Sequence, residues 1–429
     1  MEQVKQIELM PGVHLTMVHT TKFKSSQLGV TFLTPLDREC AAECALLPHV
    51  LRRGCRNHPD MRALSMALDD LYGGVIEPLV TKKGETQCIG FSASFLDDAY
   101  ALDGEDILGP AFRLLGELAL DPYAPDGCFA REYVEGERDN LVDRIRGLIN
   151  DKRQYSMYRL GQEMCRDEAW GISRFGDEGH ARAITPETLW QRYQQLLRHA
   201  VVELYYCGSA DPDRVMQTAR AAFSALPECM ERTVRPCSVT AWAGTGPKVV
   251  EEAMDVTQGK LAMGFRTGGV TVKDPEYPAL MMLSAVFGGT SMSKLFMNVR
   301  EKLSLCYFAS SMLEKNKGLM LVSSGIEFDK YAQAKQEILS QLDACRAGDI
   351  SPDELEGARR ILITALNTTL DSQGRLADFW LGQRVSGADW GPEQLAHRLE
   401  QVTVEQVMSV ARGVELDTIY FLKGKEVSA

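Results

Sequence analysis

The chain has 429 residues, a formal net charge of −12, 45% apolar residues and 25% charged residues. This balance is typical of a folded globular protein, and the acidic excess leaves no basic stripe of the kind that nucleic-acid phosphates require. No stretch approaches the roughly 18 to 20 apolar residues that span a bilayer, and the first residues lack the order of a signal peptide. We therefore expect a cytoplasmic protein without nucleic-acid or membrane partners.

The length suggests two domains of about 200 residues each. The eleven cysteines are odd in number and form no C-x-x-C motif, so they are interpreted as reduced core thiols rather than as disulfides. Cys40 and Cys44 would lie one helical turn apart. A metal site there is disfavoured because no second pair of ligands lies nearby in the sequence.

In the first half, apolar periodicity and turn residues predict an alternation of strands and helices. The predicted strands are 13–19, 28–35, 74–82, 86–96 and 200–208. The predicted helices are 39–53, 60–72, 107–122, a long charged helix from about 127 to 166, a short helix after residues 185–190, and 213–226. This pattern favours an α+β layer, an antiparallel-leaning sheet with helices on one face.

The second half repeats the order of the first after a segment rich in Pro, Gly, Thr and Ser. Its predicted strands are 260–268, 306–313, 318–326 and 416–424, and its predicted helices are 275–289, 330–348, a long one from 351, and 391–401. We therefore predict two similarly folded α+β halves: an N-terminal domain at 1–228, a linker at 229–247 and a C-terminal domain at 248–429. The alternative is two unrelated α+β domains.

The stretch AECALLPHVLRRGCRNHPDMRALSMALDDLYGG, residues 42–74, resembles the start of the insulinase, pitrilysin and mitochondrial processing peptidase family. In that family a helix carries H-x-x-E-H, whose two histidines bind zinc and whose glutamate is the general base. The register places Ala45 on the first histidine, Pro48 on the glutamate and His49 on the second histidine. Two of the three motif residues are therefore missing.

The stretch VEGERDNLVDRI, residues 134–145, resembles the family helix V-E-R-E-x-x-x-I-x-E-E-I, which supplies the third zinc ligand. The register places Arg144 on the ligand position. A single imidazole beside a guanidinium cannot hold Zn²⁺, which needs three protein ligands in a catalytic site and is repelled by the cation. The resemblance thus implies a processing-peptidase fold with a degenerate metal site at Ala45, Pro48, His49 and Arg144, and no cofactor in this chain.

Residues 287–311 resemble the family pattern G-G-x-x-S-R-L-F-x-x-V-R-E-K-x-G-L-x-Y-S. Arg300 and Tyr307 occupy the positions of an Arg and Tyr pair that, in the family, orients the peptide substrate and stabilises the oxyanion. Both side chains can donate to a developing negative charge. The alternative is that Arg300 forms a surface ion pair with Glu301 and that Tyr307 is an aromatic residue of a strand core.

The resemblance implies a catalytically inactive subunit of a two-chain zinc peptidase. Such a subunit closes the chamber and binds peptide through Arg300 and Tyr307 for a motif-bearing partner, which holds the zinc; bacterial members that lack the motif are often paired with such a relative. Three alternatives stay open: an active metallopeptidase with unconventional ligands such as His49, His58 and Asp143, a structural or assembly subunit, and a homodimeric peptide-binding module.

Overall fold

A computed structural model describes residues 3–228, 232–234, 236–240, 244 and 246–425. The chain forms two compact units: the first comprises Met1–Arg146, Ile172–Pro236 and Gln373–Leu381, and the second comprises Gly147–Gly171, Cys237–Ser372 and Gly382–Ala429. The second unit thus includes residues 147–171, which the predicted division assigns to the N-terminal domain. Residues 229–231, 235, 241–243 and 245 of the predicted linker lie outside the described residues.

A six-stranded sheet forms the centre of the first unit. Its strands are β1 (Gln3–Met10), β2 (Val13–His19), β3 (Ser25–Pro35), β4 (Val75–Lys83), β5 (Thr86–Leu96) and β6 (Val201–Gly208). They lie in the order β1-β2-β6-β3-β5-β4, and every neighbouring pair is antiparallel except β2 and β6. Strand β1 was not predicted, because this edge strand is largely exposed and carries little apolar periodicity.

The charged segment that was predicted as one long helix is two helices. Helices α1 (Ala41–Leu51), α2 (Met61–Asp69) and α3 (Leu108–Leu120) precede this segment. Within it, helix α4 (Arg131–Gly147) ends, and a separate helix α5 (Lys152–Met164) follows. The side chain of Asp151 accepts hydrogen bonds from the backbone N–H groups of Arg153 and Gln154, both at 3.0 Å, and so caps α5. The prediction was wrong here because it overlooked this cap.

Three further helices belong to the first unit: α6 (Glu178–Ala183) and α7 (Pro186–His199) precede β6, and α8 (Pro212–Ala222) follows it. Helices α1 and α3 both contact β5, and their apolar side chains share one buried core with the strands. Phe32, Phe91 and Phe112 are fully buried in that core. Burial of this apolar surface is what fixes α1 against the sheet.

The second unit contains a five-stranded sheet. Its strands are β7 (Lys248–Met254), β8 (Gly259–Arg266), β9 (Cys306–Glu314), β10 (Leu319–Ile326) and β11 (Glu415–Gly424). Their order, β7-β11-β8-β10-β9, matches β2-β6-β3-β5-β4 of the first unit, and each sheet contains one parallel pair, β7 with β11 and β2 with β6. The predicted α+β fold with two similar halves is therefore confirmed, and the alternative of two unrelated domains is wrong.

The later helices are α9 (Tyr277–Ser284), α10 (Tyr331–Ala347), α11 (Pro352–Leu370), α12 (Gln373–Ser386), α13 (Pro392–Glu400) and α14 (Val404–Arg412). Helix α9 continues into a π-helical turn at Ala285–Gly289, and a second π-helical segment covers Leu295–Lys302. Helices α12 and α14 and strand β7 were not predicted. In the part of the chain that the structure describes, no helix combines the length and the apolarity needed to cross a membrane.

A buried network of charges lies within the second unit. Arg266 Nη2 donates to Glu168 Oε1 at 2.6 Å, and Arg266 Nε donates to Asp417 Oδ2 at 2.8 Å. Lys317 Nζ lies 2.5 Å from Glu168 Oε2 and is completely buried. We call these four residues the buried charge cluster. Two cations face two carboxylates, which offsets the cost of removing them from water.

Candidate functional site

Helix α1 carries the three positions that the sequence aligns with the zinc motif. Ala45 and Pro48 are buried in the core of the first unit, and only His49 is partly exposed. The helix runs through Pro48, whose carbonyl accepts a hydrogen bond from the N–H of Arg52 at 3.0 Å. Pro48 has no N–H of its own and no ionisable group, so it can act neither as a general base nor as a ligand.

The structure brings His49 and Arg144 together, although they are 95 residues apart in sequence. Arg144 Nη1, on α4, lies 3.0 Å from His49 Nε2. A guanidinium has donors only, so Nε2 must be the acceptor and the hydrogen of a neutral imidazole must be on Nδ1. Burial, together with the positive charge of Arg144, lowers the pKa of His49, which agrees with a neutral ring.

A cavity of about 500 Å³ surrounds this pair. We call it the His49 cavity. It is lined by charged residues of α1, α4 and the turn after α1, by β4 at the sheet edge, and by an aromatic ring: His49, Arg52, Arg53, Glu137, Arg144, Glu77, Pro78, Val80, Met61 and Phe175. Cavities of this size hold small molecules or a few residues of a peptide.

The cations around the His49 cavity are unequally matched by carboxylates. Arg53 Nη1 lies 3.2 Å from Glu137 Oε1, and Arg52 Nε donates to the carbonyl of Ile76 at 2.5 Å. Arg144 contacts His49 and stands over the ring of Phe175, 5.5 Å from its centroid. Within the described residues, no carboxylate lies at ion-pair distance from Arg144.

These residues do not fit a zinc ion. The Nε2 lone pair of His49 already accepts a hydrogen bond, and a guanidinium would repel a cation. In the described ranges, no three His, Cys, Asp or Glu side chains group closely enough to hold a metal. The alternative ligand set of His49, His58 and Asp143 is therefore not assembled, and neither is a metal site around Cys40 and Cys44.

Arg300 lies in the π-helical segment Leu295–Lys302 of the second unit, and Tyr307 lies at the start of β9, which is the edge strand equivalent to β4. Arg300 Nε lies 3.4 Å from Glu301 Oε1, and its guanidinium stands 4.6 Å from the centroid of Phe296. Tyr307 is 65% exposed and donates its hydroxyl to Glu327 Oε1 at 3.2 Å. The ion pair of Arg300 agrees with the alternative interpretation, but the exposure of Tyr307 excludes a place in a strand core.

A strained residue turns the chain between Arg300 and Tyr307. Ser304 stands at the glycine position of R-E-K-x-G-L and has a φ of 49°. This left-handed conformation suits glycine and costs other residues roughly 1–2 kcal/mol. Its N–H is bonded to the carbonyl of Arg300 at 3.0 Å, which holds the turn. The turn thus places a serine in a conformation that glycine adopts without strain.

Sequence reasoning missed several residues that surround these positions. Arg52 and Arg53 follow His49 by three and four residues, so their helical spacing could have indicated that they lie beside it. Nothing in the sequence around Phe175 indicated that its ring would lie beside His49 and Arg144. In the second unit, Arg153 stands over the ring of Phe308 at 4.1 Å and donates to Ser310 Oγ at 3.2 Å, both on β9. Only the fold brings α5 to this strand.

Comparisons with known proteins add independent findings. Residues 183–362 match the family profile described as "Peptidase M16 inactive domain". The chain is 36% identical over 416 residues to the "Probable inactive metalloprotease YmfF" of Bacillus subtilis (strain 168), covering 97% of this chain and 96% of that protein. It is 26% identical over 310 residues to an "Uncharacterized zinc protease" of Mycobacterium bovis, covering 71% and 70%.

Solved structures agree over nearly the whole length. A conserved protein from Enterococcus faecalis V583 superposes with a TM-score of 0.91 at 27% identity, covering 99% of this chain and 100% of the other. A peptidase M16 inactive domain from Pseudomonas fluorescens superposes with a TM-score of 0.80 at 16% identity, covering 99% of each chain. At that lower identity the likeness concerns the fold alone.

Proposed function

The chain belongs to the M16 peptidase family as an inactive, peptidase-like member, and from this premise we propose that it is the non-catalytic subunit of a two-chain zinc peptidase. The predicted family resemblance is thereby confirmed. In the proposed assembly a motif-bearing homologue supplies the zinc and the general base. This chain closes the chamber and helps to bind the peptide substrate.

The contact between His49 and Arg144 is the observation that carries the proposal. A guanidinium stands 3.0 Å from the one remaining motif histidine, on the helix that supplies the third ligand in the family. Zinc-dependent peptide hydrolysis needs a metal-bound water and a general base beside it. Ala45 cannot bind the metal, and Pro48 cannot act as the base. We infer that the zinc site has been lost and that the chain depends on a partner for chemistry.

Arg300 and Tyr307 are the proposed contribution of this chain to peptide binding. Both side chains reach solvent, and each ends in a donor that can bond a peptide carbonyl or a developing oxyanion. The proposal includes a cytoplasmic location. The ten cysteines in the described part of the chain are all free, as a reducing compartment would keep them.

The test is co-expression of the chain with a motif-bearing homologue from the same source. We expect neither zinc nor peptidase activity in the chain alone, and chelator-sensitive activity in the mixture. Arg300→Ala should lower kcat/KM of the mixture about 100-fold, because the loss of one oxyanion donor typically costs at least that much. Arg360→Ala, an exposed arginine of α11 paired with Glu356, is the matched control and should leave activity unchanged.

Near-stoichiometric zinc and activity in the single chain would contradict the proposal. The ion pair between Arg300 and Glu301 favours a second candidate, a structural or assembly subunit, because it gives Arg300 a partner within its own segment. That candidate predicts a stable complex whose activity does not change in the Arg300→Ala variant. The same experiment therefore separates the two functions.

A further inference from the structure

We propose that the His49 cavity is a carboxylate-binding site, in which Arg144 receives the acidic group of a peptide. The inference rests on the proposed function in one respect, namely that the carboxylate belongs to a peptide. The cavity and its charges belong to the first unit alone, so they can be tested in the chain without a partner. No role in hydrolysis is assigned to this site.

The first argument is the unmatched charge of Arg144. Of its five N–H donors, the described residues use one, the bond from Nη1 to His49. The side chain is exposed, so its other donors reach solvent at the cavity. A planar guanidinium binds a carboxylate through two parallel hydrogen bonds, which a spherical ammonium cannot do.

The second argument is the placement of another cation beside it. Arg174 stands over the ring of Phe175, 4.8 Å from its centroid, on the same ring that Arg144 approaches at 5.5 Å. Within the described residues, no carboxylate pairs with Arg174 either. Two like charges beside one ring repel each other, and an anion bound near them relieves that repulsion. The arrangement therefore attracts a negative group where the family binds a cation.

His49 and the neighbouring pairs hold this arrangement in place. Because Nε2 of the neutral imidazole accepts from Arg144, His49 acts as a positioning residue for the guanidinium. Glu137 is occupied by Arg53 at 3.2 Å and by the Asn140 amide at 3.1 Å, so it does not neutralise Arg144. Glu77 also lines the cavity, where its negative charge acts on Arg52. A carboxylate of a bound ligand would therefore give Arg144 the ion-pair partner that the described residues do not provide.

The third argument concerns the shape of the ligand. Glu77, Pro78 and Val80 line the cavity, and they lie on β4, the edge strand of the sheet. An edge strand offers backbone groups to an extended chain, and a proline within it is compatible with an edge position. A peptide that lies along β4 can thus bring a carboxylate to Arg144. A small inorganic anion would use neither the strand nor most of the 500 Å³.

The test uses the full chain and two matched pairs of fluorescein-labelled ten-residue peptides, with binding followed by fluorescence anisotropy. One pair differs only in a C-terminal carboxylate or carboxamide, and the other differs only in an internal Glu or Gln with the C-terminus amidated. We expect the acidic member of one pair to bind about tenfold more tightly, the effect of a charge-assisted hydrogen bond. The pair that shows the preference identifies the source of the carboxylate.

Variants of α4 connect the preference to the cavity. Arg144→Gln should abolish it, and Arg144→Lys should retain only part of it, because the charge remains but the planar fork is lost. Arg146→Gln is the control: Arg146 lies on the same helix and pairs with Glu178 at 2.6 Å, outside the cavity. Equal affinity within both pairs, or a preference that survives Arg144→Gln, would overturn the inference.

A second measurement separates this inference from the proposed function. N-acetylglycine should shift the ring resonances of His49 in the NMR spectrum, and N-acetylglycinamide should not. A shift in the absence of any peptide binding would support the carboxylate site and count against peptide binding by this chain. Amide peptides that bind while N-acetylglycine leaves His49 unchanged would overturn the carboxylate site and leave the proposed function intact.

Discussion

The His49 cavity of the first unit and the buried charge cluster of the second both gather basic side chains, but they match those charges differently. In the cluster, Arg266 and Lys317 face two carboxylates, and both cations are at most 5% exposed. In the cavity, Arg144 reaches solvent and faces a neutral imidazole. In a balanced, buried network each charge depends on its partners, so the network serves the fold. A group of cations that lacks matching carboxylates and reaches solvent is available to a ligand. For this reason we propose a binding role for the His49 cavity.

The two edge strands extend the comparison. Strands β4 and β9 hold the same place in their sheets, and each borders a candidate site. At β4 the residues come from α1 and α4 and share a cavity with the strand. At β9, Tyr307 is on the strand itself and Arg300 is bonded within its own segment. The two edge strands are thus equivalent in topology, but the site at β4 is formed by several elements, whereas the contacts at β9 are local.

The largest expected effect concerns the buried charge cluster. Glu168→Gln removes one of the two carboxylates that face the buried cations Arg266 and Lys317, and breaking such a buried network should lower the free energy of unfolding by about 3–5 kcal/mol. Urea unfolding of the full chain, followed by circular dichroism, measures this change. Glu356→Gln, which removes an exposed carboxylate from α11, should leave the midpoint unchanged. Equal midpoints for the two variants would contradict the structural role of the cluster.

The dependence of stability on pH should show the contribution of the same carboxylate, Glu168. Burial alone would raise the pKa of Glu168, but hydrogen bonds from Arg266 and Lys317 outweigh it and lower the pKa to about 2. Since the folded pKa lies below the unfolded one, the contribution of Glu168 is complete above the ordinary glutamate pKa and is lost as pH falls toward 2. The loss of stability below pH 5 should be shallower in Glu168→Gln. An identical slope in both proteins would count against this assignment.

A smaller effect is expected from Arg144→Gln, because Arg144 is exposed and has no carboxylate partner. The free energy of unfolding should change by no more than about 0.5 kcal/mol. The pKa of His49 should rise, since the nearby positive charge is removed while the burial remains. An NMR titration of the His49 ring measures the pKa. A large loss of stability would show that Arg144 supports the fold in the way the buried charge cluster does.

The smallest effect concerns the turn before β9. Ser304→Gly removes the cost of a left-handed residue but increases the entropy of the unfolded chain, so a net gain of about 0.5 kcal/mol is expected. Ser304→Ala is the control, because it keeps the strained φ and should bring no gain. Thermal unfolding of both variants measures the difference. A loss of stability in Ser304→Gly would mean that the serine hydroxyl has a role of its own.

Most strands and helices could be predicted where the chain has a clear period and a clear stop. Strands such as Thr86–Leu96 and helices such as Leu108–Leu120 agree with their predicted positions within one or two residues. The edge strands Gln3–Met10 and Lys248–Met254 escaped prediction because their exposed faces weaken the apolar alternation. The break before Asp151 was missed because one side-chain cap outweighs a continuous helical pattern.

The sequence by itself determined the fold class, the internal repeat and the absence of two zinc-motif residues at Ala45 and Pro48, because these depend on local periodicity and on residue type. Only the tertiary structure decided which charges are matched. Arg144 meets His49 across 95 residues, and Arg266 meets Glu168 and Asp417 across 98 and 151. Coulomb energies act over a few ångströms in space, so identical side chains become a ligand site or a structural ion pair according to the fold that surrounds them.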